Sequence, residues 1–279
     1  MKTVQTINEL KQIIDLNKDK MIGFVPTMGY LHEGHQALLN KARVDNDLVV
    51  ASIFVNPAQF GPNEDLDRYP RDIERDTQLA TDSGVDVLFI PSAEEMYPFE
   101  SGITIQVGDL STKLCGESRP GHFDGVLKVI TKLFHLIQPT NAYFGQKDAQ
   151  QLAIIETFVN AYNFPVQIVR VPTVRETDGL AKSSRNVFLS EQERIEAVHL
   201  YKALQLAKVT WEQTNDLLAA ITIGKEHIKS NSTGKIDYLE ALSYPSLQPV
   251  TNETKEVLFA TAVFFEKARL IDNILIEKF

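Results

Sequence analysis

The stretch MIGFVPTMGYLHEGHQALL (residues 21–39) decides the fold of the amino-terminal part of the chain. Its first part, Met21–Thr27, is apolar and predicts a buried strand that runs into a turn. Gly34–Arg43 then predicts a helix, so that a glycine-containing turn joins a strand to a helix. Backbone N–H groups and the positive end of a helix dipole therefore follow directly after a strand, where a phosphate group can bind.

Strands and helices alternate on both sides of this stretch. Further strands are predicted at Asp47–Asn56, Val85–Pro91, Asn141–Gly145 and Val166–Val174. Helices are predicted at Thr6–Asn17, Asp72–Ser83, Phe123–Ile137 and Asp148–Asn160, and the alternation in Ile103–Val107 is compatible with one more short strand. This order indicates right-handed crossovers and a Rossmann-like α/β fold with a mainly parallel sheet and flanking helices. Such sheets bind ligands at the carboxyl ends of their strands.

The pattern changes near residue 175. Two helices are predicted at Ser190–Lys208 and Asn215–Ser230, followed by strands at 236–242, 257–265 and 269–279. We therefore predict two domains: a Rossmann-like domain at residues 1–175 and a smaller α+β domain at residues 176–279.

Composition narrows the class of protein. The 279 residues are 43% hydrophobic and 23% charged, which is typical of a soluble globular chain and excludes collagen-like and disordered proteins. The net charge of −9 argues against a broad nucleic-acid-binding face. The single cysteine, Cys115, excludes an intrachain disulfide and fits a cytoplasmic protein. The apolar runs are too short to span a membrane, so no membrane partner is expected.

The strongest chemical signal is the pair His32 and His35, which are three residues apart at the predicted start of a helix. On one helical turn both face the same way, and each can donate a hydrogen bond to a phosphate oxygen. Two capping or surface histidines are the simpler alternative. A zinc site is less favoured, because HEGH lacks the H-E-x-x-H spacing and no cysteine cluster accompanies it. The chain contains no P-loop and no G-x-G-x-x-G motif, so a nucleotide needs another means of binding.

Four further segments carry polar or charged residues at strand ends or in loops. GLAKSSRN (Gly179–Asn186) combines hydroxyl groups and two cations, which suits a polyphosphate, although a solvated surface loop is the simpler explanation. GQKD (Gly145–Asp148) offers Lys147 to a phosphate, with an ordinary helix cap as the alternative.

The other two segments precede both of these in the chain. NPAQFGPNEDLDRYPRD (Asn56–Asp72) places Gln59 directly after a core strand, where its amide can recognise hydroxyl groups. CGESRPGHFDGV (Cys115–Val126) contributes Arg119 and His122 as candidate contacts for a carboxylate or phosphate, and we expect its cysteine to be a packed thiol.

Taken together and in order, these five motifs resemble the pantoate–β-alanine ligase family, whose members belong to a wider nucleotidylyltransferase-like superfamily. HEGH corresponds to the HIGH-type element of that superfamily and KSSR to its KMSKS-type loop. The resemblance implies a two-step reaction: pantoate and ATP give pantoyl adenylate and pyrophosphate, and β-alanine then gives pantothenate and AMP. It also implies Mg²⁺ as the partner of ATP, with no protein ligand assigned, and a homodimer.

The resemblance also implies the roles of particular residues. The catalytic residues would be His35, His32 and Lys147. The residues that would bind ATP are Met28, Gly29, Tyr30, Leu31, His32, Glu33, Gly34, His35, Gly145, Gln146, Lys147, Asp148, Val174, Lys182, Ser183, Ser184 and Arg185. Gln59 and Gln151 would hold pantoate. Lys182 departs from the family, which often has an apolar residue at this position.

Three alternatives remain at this stage. A related nucleotidylyltransferase would produce a stable nucleotide conjugate instead of AMP and an amide. An aminoacyl-tRNA synthetase is disfavoured, because this short acidic chain has no evident tRNA-binding module. A nucleotide sensor without catalysis would have no need of His32, His35, Lys147 and Arg185 together.

Overall fold

The computed structural model describes residues 1–62, 64 and 66–278. Asn63 and Asp65 of the predicted loop at 56–72, and Phe279 of the last predicted strand, lie outside the described residues. The strands are β1 (Lys2–Val4), β2 (Ile22–Thr27), β3 (Leu48–Ile53), β4 (Val87–Phe89), β5 (Asn141–Gly145), β6 (Gln167–Val171), β7 (Lys235–Tyr244), β8 (Glu256–Phe264) and β9 (Arg269–Glu277). The α-helices are α1 (Ile7–Asp15), α2 (Glu33–Asp45), α3 (Ile73–Asp82), α4 (Ala93–Met96), α5 (Cys115–Ser118), α6 (His122–Ile137), α7 (Ala149–Ala161), α8 (Glu191–Thr214) and α9 (Leu217–Asn231).

The first sheet has six strands in the order β1-β4-β3-β2-β5-β6, and every pair is parallel. In the centre of the sheet Phe24 of β2 is paired with Val50 of β3 and with Ala142 of β5. These strands are continuous apolar runs because helices cover both faces of a parallel sheet. One core cluster packs Val25 and Val49 with Leu39 of α2.

The second sheet is antiparallel, with β8 between β7 and β9. Phe259 of β8 and Trp211 of α8 pack in its core, with ring centroids 5.7 Å apart. Helix α8 begins with a capping box, in which Ser190 and Glu193 bond each other's backbone N–H groups. The predicted fold class, a Rossmann-like sheet with flanking helices and a smaller α+β part, is confirmed.

The chain divides into two compact units. Unit 1 contains Met1–Thr112, Gly116–Gly145 and Ile154–Val171, and unit 2 contains Lys113–Cys115, Gln146–Ala153 and Pro172–Phe279. The domain boundary between residues 175 and 176 remains a prediction, because a compact unit is defined by its packing and a domain by its capacity to fold alone. Within the described residues we find no helix that combines the length and the apolar character needed to cross a membrane.

The prediction of a short strand at Ile103–Val107 is wrong. This segment forms no ladder with any other described strand, and Ile103 is 77% exposed. Alternation predicts a strand only where one face is buried against a core, and here the backbone N–H of Val107 instead donates to the carboxylate of Asp124 at 2.8 Å. The short edge strand β1 was not predicted.

Candidate active site

The carboxyl ends of β2 and β5 meet in the middle of the parallel sheet. The chain runs from β2 to β3 on one side and returns to β5 on the other side, so the strand order reverses between β2 and β5. Loops that leave this point enclose the crevice where doubly wound sheets bind nucleotides. The segment Met28–His35 leaves β2 here, and Gly145 is the last residue of β5. The structure therefore places these two sequence-predicted elements at adjacent strand ends.

The turn after β2 has an unusual backbone. Gly29 and Tyr30 both have positive φ, at 87° and 51°. The hydroxyl of Thr27 accepts the N–H of Gly29 at 3.2 Å. The carboxylate of Asp76 in α3 accepts the N–H groups of Tyr30 and Leu31, at 2.7 and 2.6 Å. A non-glycine residue at positive φ is uncommon, so this turn is held by bonds from outside it.

His32 and His35 cap helix α2. His32 is the N-cap residue, and its Nδ1 accepts the N–H of Gly34 at 3.1 Å. The N–H of His32 donates in turn to Nδ1 of His35 at 3.2 Å. A backbone N–H only donates, so Nδ1 carries no proton in either ring and both neutral imidazoles carry their proton on Nε2. The ring centroids are 4.2 Å apart, which gives two N–H donors close together at a helix N-terminus.

Gln59 is buried and ends a 3₁₀ turn (Pro57–Gln59) that three residues separate from the end of β3. Asn56 Nδ2 donates to the carbonyl of Gly125 and to Oε1 of Gln59, each at 3.0 Å. Because a carbonyl only accepts, these bonds set the orientation of both amides and leave the amino group of Gln59 as its donor. That amino group lies 3.2 Å from Sδ of Met28, so the structure brings Gln59 beside the segment that follows β2.

Helix α6 supports the same turn. Nδ1 of His122 lies 2.8 Å from the carbonyl oxygen of Gln59, and its Nε2 lies 3.1 Å from a guanidinium nitrogen of Arg119. Arg119 also pairs with Glu64. Arg119 and His122, which the sequence presented as candidate contacts for a ligand, therefore have partners within the protein. The cysteine of this segment, Cys115, is buried as expected.

The remaining sequence-predicted residues lie in unit 2, apart from Gly145. Gln146, Lys147 and Asp148 form a 3₁₀ turn, and Gln151 lies in the first turn of α7. Asn273 of β9 donates to the carbonyls of Gln146 and Lys147, both at 2.9 Å. This side chain fixes the backbone of the turn, and its own Oδ1 has no hydrogen-bond partner among the residues that the structure describes.

The segment that carries KSSR folds back on Val174. The backbone N–H of Lys182 donates to the carbonyl of Val174 at 2.9 Å. Arg175, next in the chain, forms a bidentate pair with Asp272 at 2.7 and 2.9 Å and stacks on the ring of Tyr201 at 3.6 Å.

The side chains of the KSSR segment differ in their surroundings. Nζ of Lys182 forms an ion pair with Glu176 at 2.8 Å. Ser183 is the N-cap of a 3₁₀ turn and accepts the N–H of Arg185 at 3.3 Å, and Ser184 is buried.

Within each unit, sequence reasoning missed the residues that hold the predicted segments in place. Asp76, Asn273 and Asp272 had no predicted role, and Asn56 and Gly125 lay inside quoted motifs without one. Only Asp76 could have been found from the sequence, because it is an acidic residue on the apolar face of a predicted amphipathic helix. No group of three or more His, Cys, Asp or Glu residues suited to a metal ion occurs in the described part of the chain.

Comparison with known proteins gives concordant results. The model of the family described as pantoate-beta-alanine ligase matches residues 2–275. A pantothenate synthetase of Lysinibacillus sphaericus is 58% identical over 275 residues, 98% of this chain and 97% of the relative. A crystal structure of pantothenate synthetase from Thermus thermophilus superposes with a TM-score of 0.93 at 47% identity, over 98% of this chain and 99% of that one.

A second solved structure was determined with ligands. This is the pantoate-beta-alanine ligase from Francisella tularensis, described as complexed with beta-gamma ATP and beta-alanine. It has a TM-score of 0.81 and 35% identity, over 99% of this chain and 97% of that one. The family match, the sequence identities and the shared fold show that the chain belongs to the pantoate–β-alanine ligase family.

Proposed function

We propose that this chain condenses pantoate with β-alanine at the expense of ATP, through a pantoyl-adenylate intermediate. The family membership supports the reaction, and the F. tularensis relative was crystallised with an ATP compound and β-alanine. The observation that carries the proposal is the pair of imidazoles on α2, whose backbone partners leave both protons on Nε2.

In the first step a carboxylate oxygen of pantoate attacks the α-phosphorus of ATP, and the bond from this phosphorus to the bridging oxygen breaks. Negative charge grows on the departing pyrophosphate. Preorganised N–H donors stabilise such charge without reorganising during the reaction. His32 and His35 supply Nε2–H donors, and the start of α2 adds backbone N–H groups and its dipole.

In the second step the amine of β-alanine attacks the acyl carbon, an amide bond forms, and AMP departs. Positioning is the main requirement here, because the acyl adenylate is already activated. Gln59 is suited to this role, since its Oε1 is occupied by Asn56 and its amino group can donate to pantoate. We assign Gln151 to pantoate as well.

The other ATP contacts are proposed on the family pattern. Lys147 meets a phosphate as a point charge, and Val174 contacts adenine through its backbone. The segment Lys182–Arg185 offers two hydroxyl groups and two cations to the triphosphate. Asn273 and the Arg175–Asp272 pair hold the backbone around these groups.

Mg²⁺, a homodimer and a cytoplasmic location complete the proposal. The described residues offer no cluster of three metal-ligating side chains, so Mg²⁺ would be held largely by phosphate oxygens of ATP. The homodimer is a family expectation, and the single cysteine fits a reducing compartment.

Pyrophosphate release tests this function directly. With ATP and pantoate we expect release of pyrophosphate, and on addition of β-alanine we expect AMP and pantothenate. Pantoate analogues that lack a hydroxyl group test the assignment of Gln59 and Gln151. A stable nucleotide conjugate in place of AMP and an amide would identify a nucleotidylyltransferase instead.

The role of His35 is tested with two variants. His35→Asn keeps a short polar group near the position of Nδ1 but removes the Nε2 donor, and we expect pantoate-dependent exchange of pyrophosphate into ATP to fall by on the order of a hundredfold. The control is His135→Asn, because His135 is exposed and its ring bonds locally, to the carbonyl of Thr131. Near-normal exchange in His35→Asn would exclude its proposed role.

A further inference from the structure

Asp76 is a buried acid that none of the roles above uses. It lies near the start of α3 and is 0% exposed. Both of its carboxylate oxygens are bonded: Oδ2 accepts the N–H of Tyr30 at 2.7 Å, and Oδ1 accepts the N–H of Leu31 at 2.6 Å. Burying a charged group is costly, and such a group is normally retained only where strong bonds compensate.

Those bonds act on a strained point between β2 and α2. Tyr30 has a φ of 51°, a conformation that costs a non-glycine residue energy unless its surroundings impose it. The guanidinium of Arg75, beside Asp76 in α3, lies 5.1 Å from the centre of the Tyr30 ring and adds a second contact from the same helix. Leu31, which is 1% exposed, anchors the next residue in the core.

The direction of the chain after Leu31 decides where the histidines lie. His32 follows at once, and its N–H must point at Nδ1 of His35 for the bond of 3.2 Å to form. That bond keeps the proton of His35 on Nε2. If the turn relaxes, the N–H of His32 moves away, and His35 can then take up the other tautomer.

We propose that Asp76 is a positioning residue for adenylate formation, which sets the backbone at Tyr30 and Leu31 and thereby fixes the tautomer of His35. The inference rests on the proposed function for its link to catalysis, but the link to the tautomer is independent of it.

A carboxylate is needed at this place because two N–H groups converge on it. Asparagine has the same shape but only one accepting oxygen, so one of the two N–H groups would face an amino group. Burial raises the pKa of Asp76, while the two N–H bonds act in the opposite direction. The ionised carboxylate therefore costs folding stability at neutral pH. Asparagine relieves this cost but leaves one N–H group without an acceptor.

The decisive variant is Asp76→Asn. We expect kcat for adenylate formation to fall on the order of ten- to hundredfold, as for a small misplacement of a catalytic group, with a cooperative thermal transition retained. In ¹⁵N NMR spectra of histidine-labelled protein without ligands, we expect Nδ1 of His35 to shift from the position of an unprotonated nitrogen towards that of a tautomer mixture. Asp76→Glu keeps the charge but lengthens the side chain, and we expect the same two changes. Asp82→Asn is the matched control, because Asp82 is an exposed acid of the same helix, bonded to Gln78.

The outcomes separate the proposals. An unchanged His35 spectrum would overturn the positioning role, whether kcat falls or stays normal. Changed spectra and a fall in kcat in both Asp76 variants, with the control unaffected, support it. If the wild-type chain formed no pantoyl adenylate, the proposed function would fail, and the spectra would still test the link from Asp76 to the tautomer.

Discussion

Replacing Gly125 by alanine perturbs the placement of Gln59 by a distance that follows from the structure. A Cβ atom added to Gly125 would lie 2.1 Å from the carbonyl oxygen of Ala58 and 2.6 Å from Cα of Gln59. Real Cβ atoms essentially never come closer than 3.0 Å to such atoms, so α6 and the turn at 57–59 must separate by about 0.9 Å or more. Both neighbours are backbone, so no side chain can rotate away to absorb the change.

This separation strains two bonds to the turn. The bond from Asn56 to the carbonyl of Gly125 is 3.0 Å long, and the contact of His122 with the carbonyl of Gln59 is 2.8 Å. Adding about 0.9 Å takes both beyond hydrogen-bonding distance. We expect a loss of about 1–3 kcal/mol in the free energy of unfolding, as for an overpacked interior. With Gln59 displaced by about 1 Å, we expect kcat/KM for pantoate to fall on the order of a hundredfold.

The assay measures kcat/KM for pantoate and for ATP separately, together with denaturant unfolding. The matched control is Gly61→Ala, because an added Cβ there meets only the side chain of Glu64, at an ordinary van der Waals distance of 3.7 Å. Wild-type kcat/KM for pantoate in Gly125→Ala, with unfolding free energy equal to that of the control, would refute the reasoning.

Three other predictions concern unit 2. Glu176→Gln removes the carboxylate that pairs with Lys182, so we expect the KM for ATP to fall by less than about fivefold. The effect should vanish in a Lys182→Met background, and its persistence there would contradict the explanation. Asn273→Ala leaves two backbone carbonyls without their donor, so the KM for ATP should rise on the order of tenfold, and an unchanged KM would count against this. Burial lowers the pKa of both His199 and His227, whose ring nitrogens lie 3.0 Å apart. The stability they contribute is therefore present above their unfolded pKa of about 6.5 and is lost as the pH falls below it. Between about pH 7.5 and 5.5, the melting temperature should therefore decrease less in His227→Gln than in the wild type.

The elements of the fold that sequence reasoning predicted well are those with local causes. The capping boxes Thr6/Glu9 and Ser190/Glu193 begin helices where expected, since each box needs only neighbours in the chain. The apolar run of β5, Asn141–Gly145, matches its prediction at both ends. Ile103–Val107 failed because alternation does not show whether a pairing strand exists.

The same distinction between local and remote causes applies to the residues of the candidate site. The chemical groups expected to meet ATP and pantoate lie in short motifs and could be named from the sequence. The groups that orient them are remote in the chain: Asp76 acts on Tyr30, and Asn273 acts on the turn at Gln146–Asp148. Such pairs have no spacing rule, because tertiary packing alone brings them together. The tautomer of His35 could be assigned only from the structure, because it depends on the direction of one N–H group.

The strand order has a consequence for synthesis on the ribosome. Strand β2 acquires its second neighbour only when Asn141–Gly145 has emerged, although β2 itself is among the first segments to appear. Until then the nascent chain presents an apolar strand with an open edge, to which another polypeptide could add. Half of the protein must therefore be translated before this central strand is protected on both edges, and this interval is when a chaperone would be of most use.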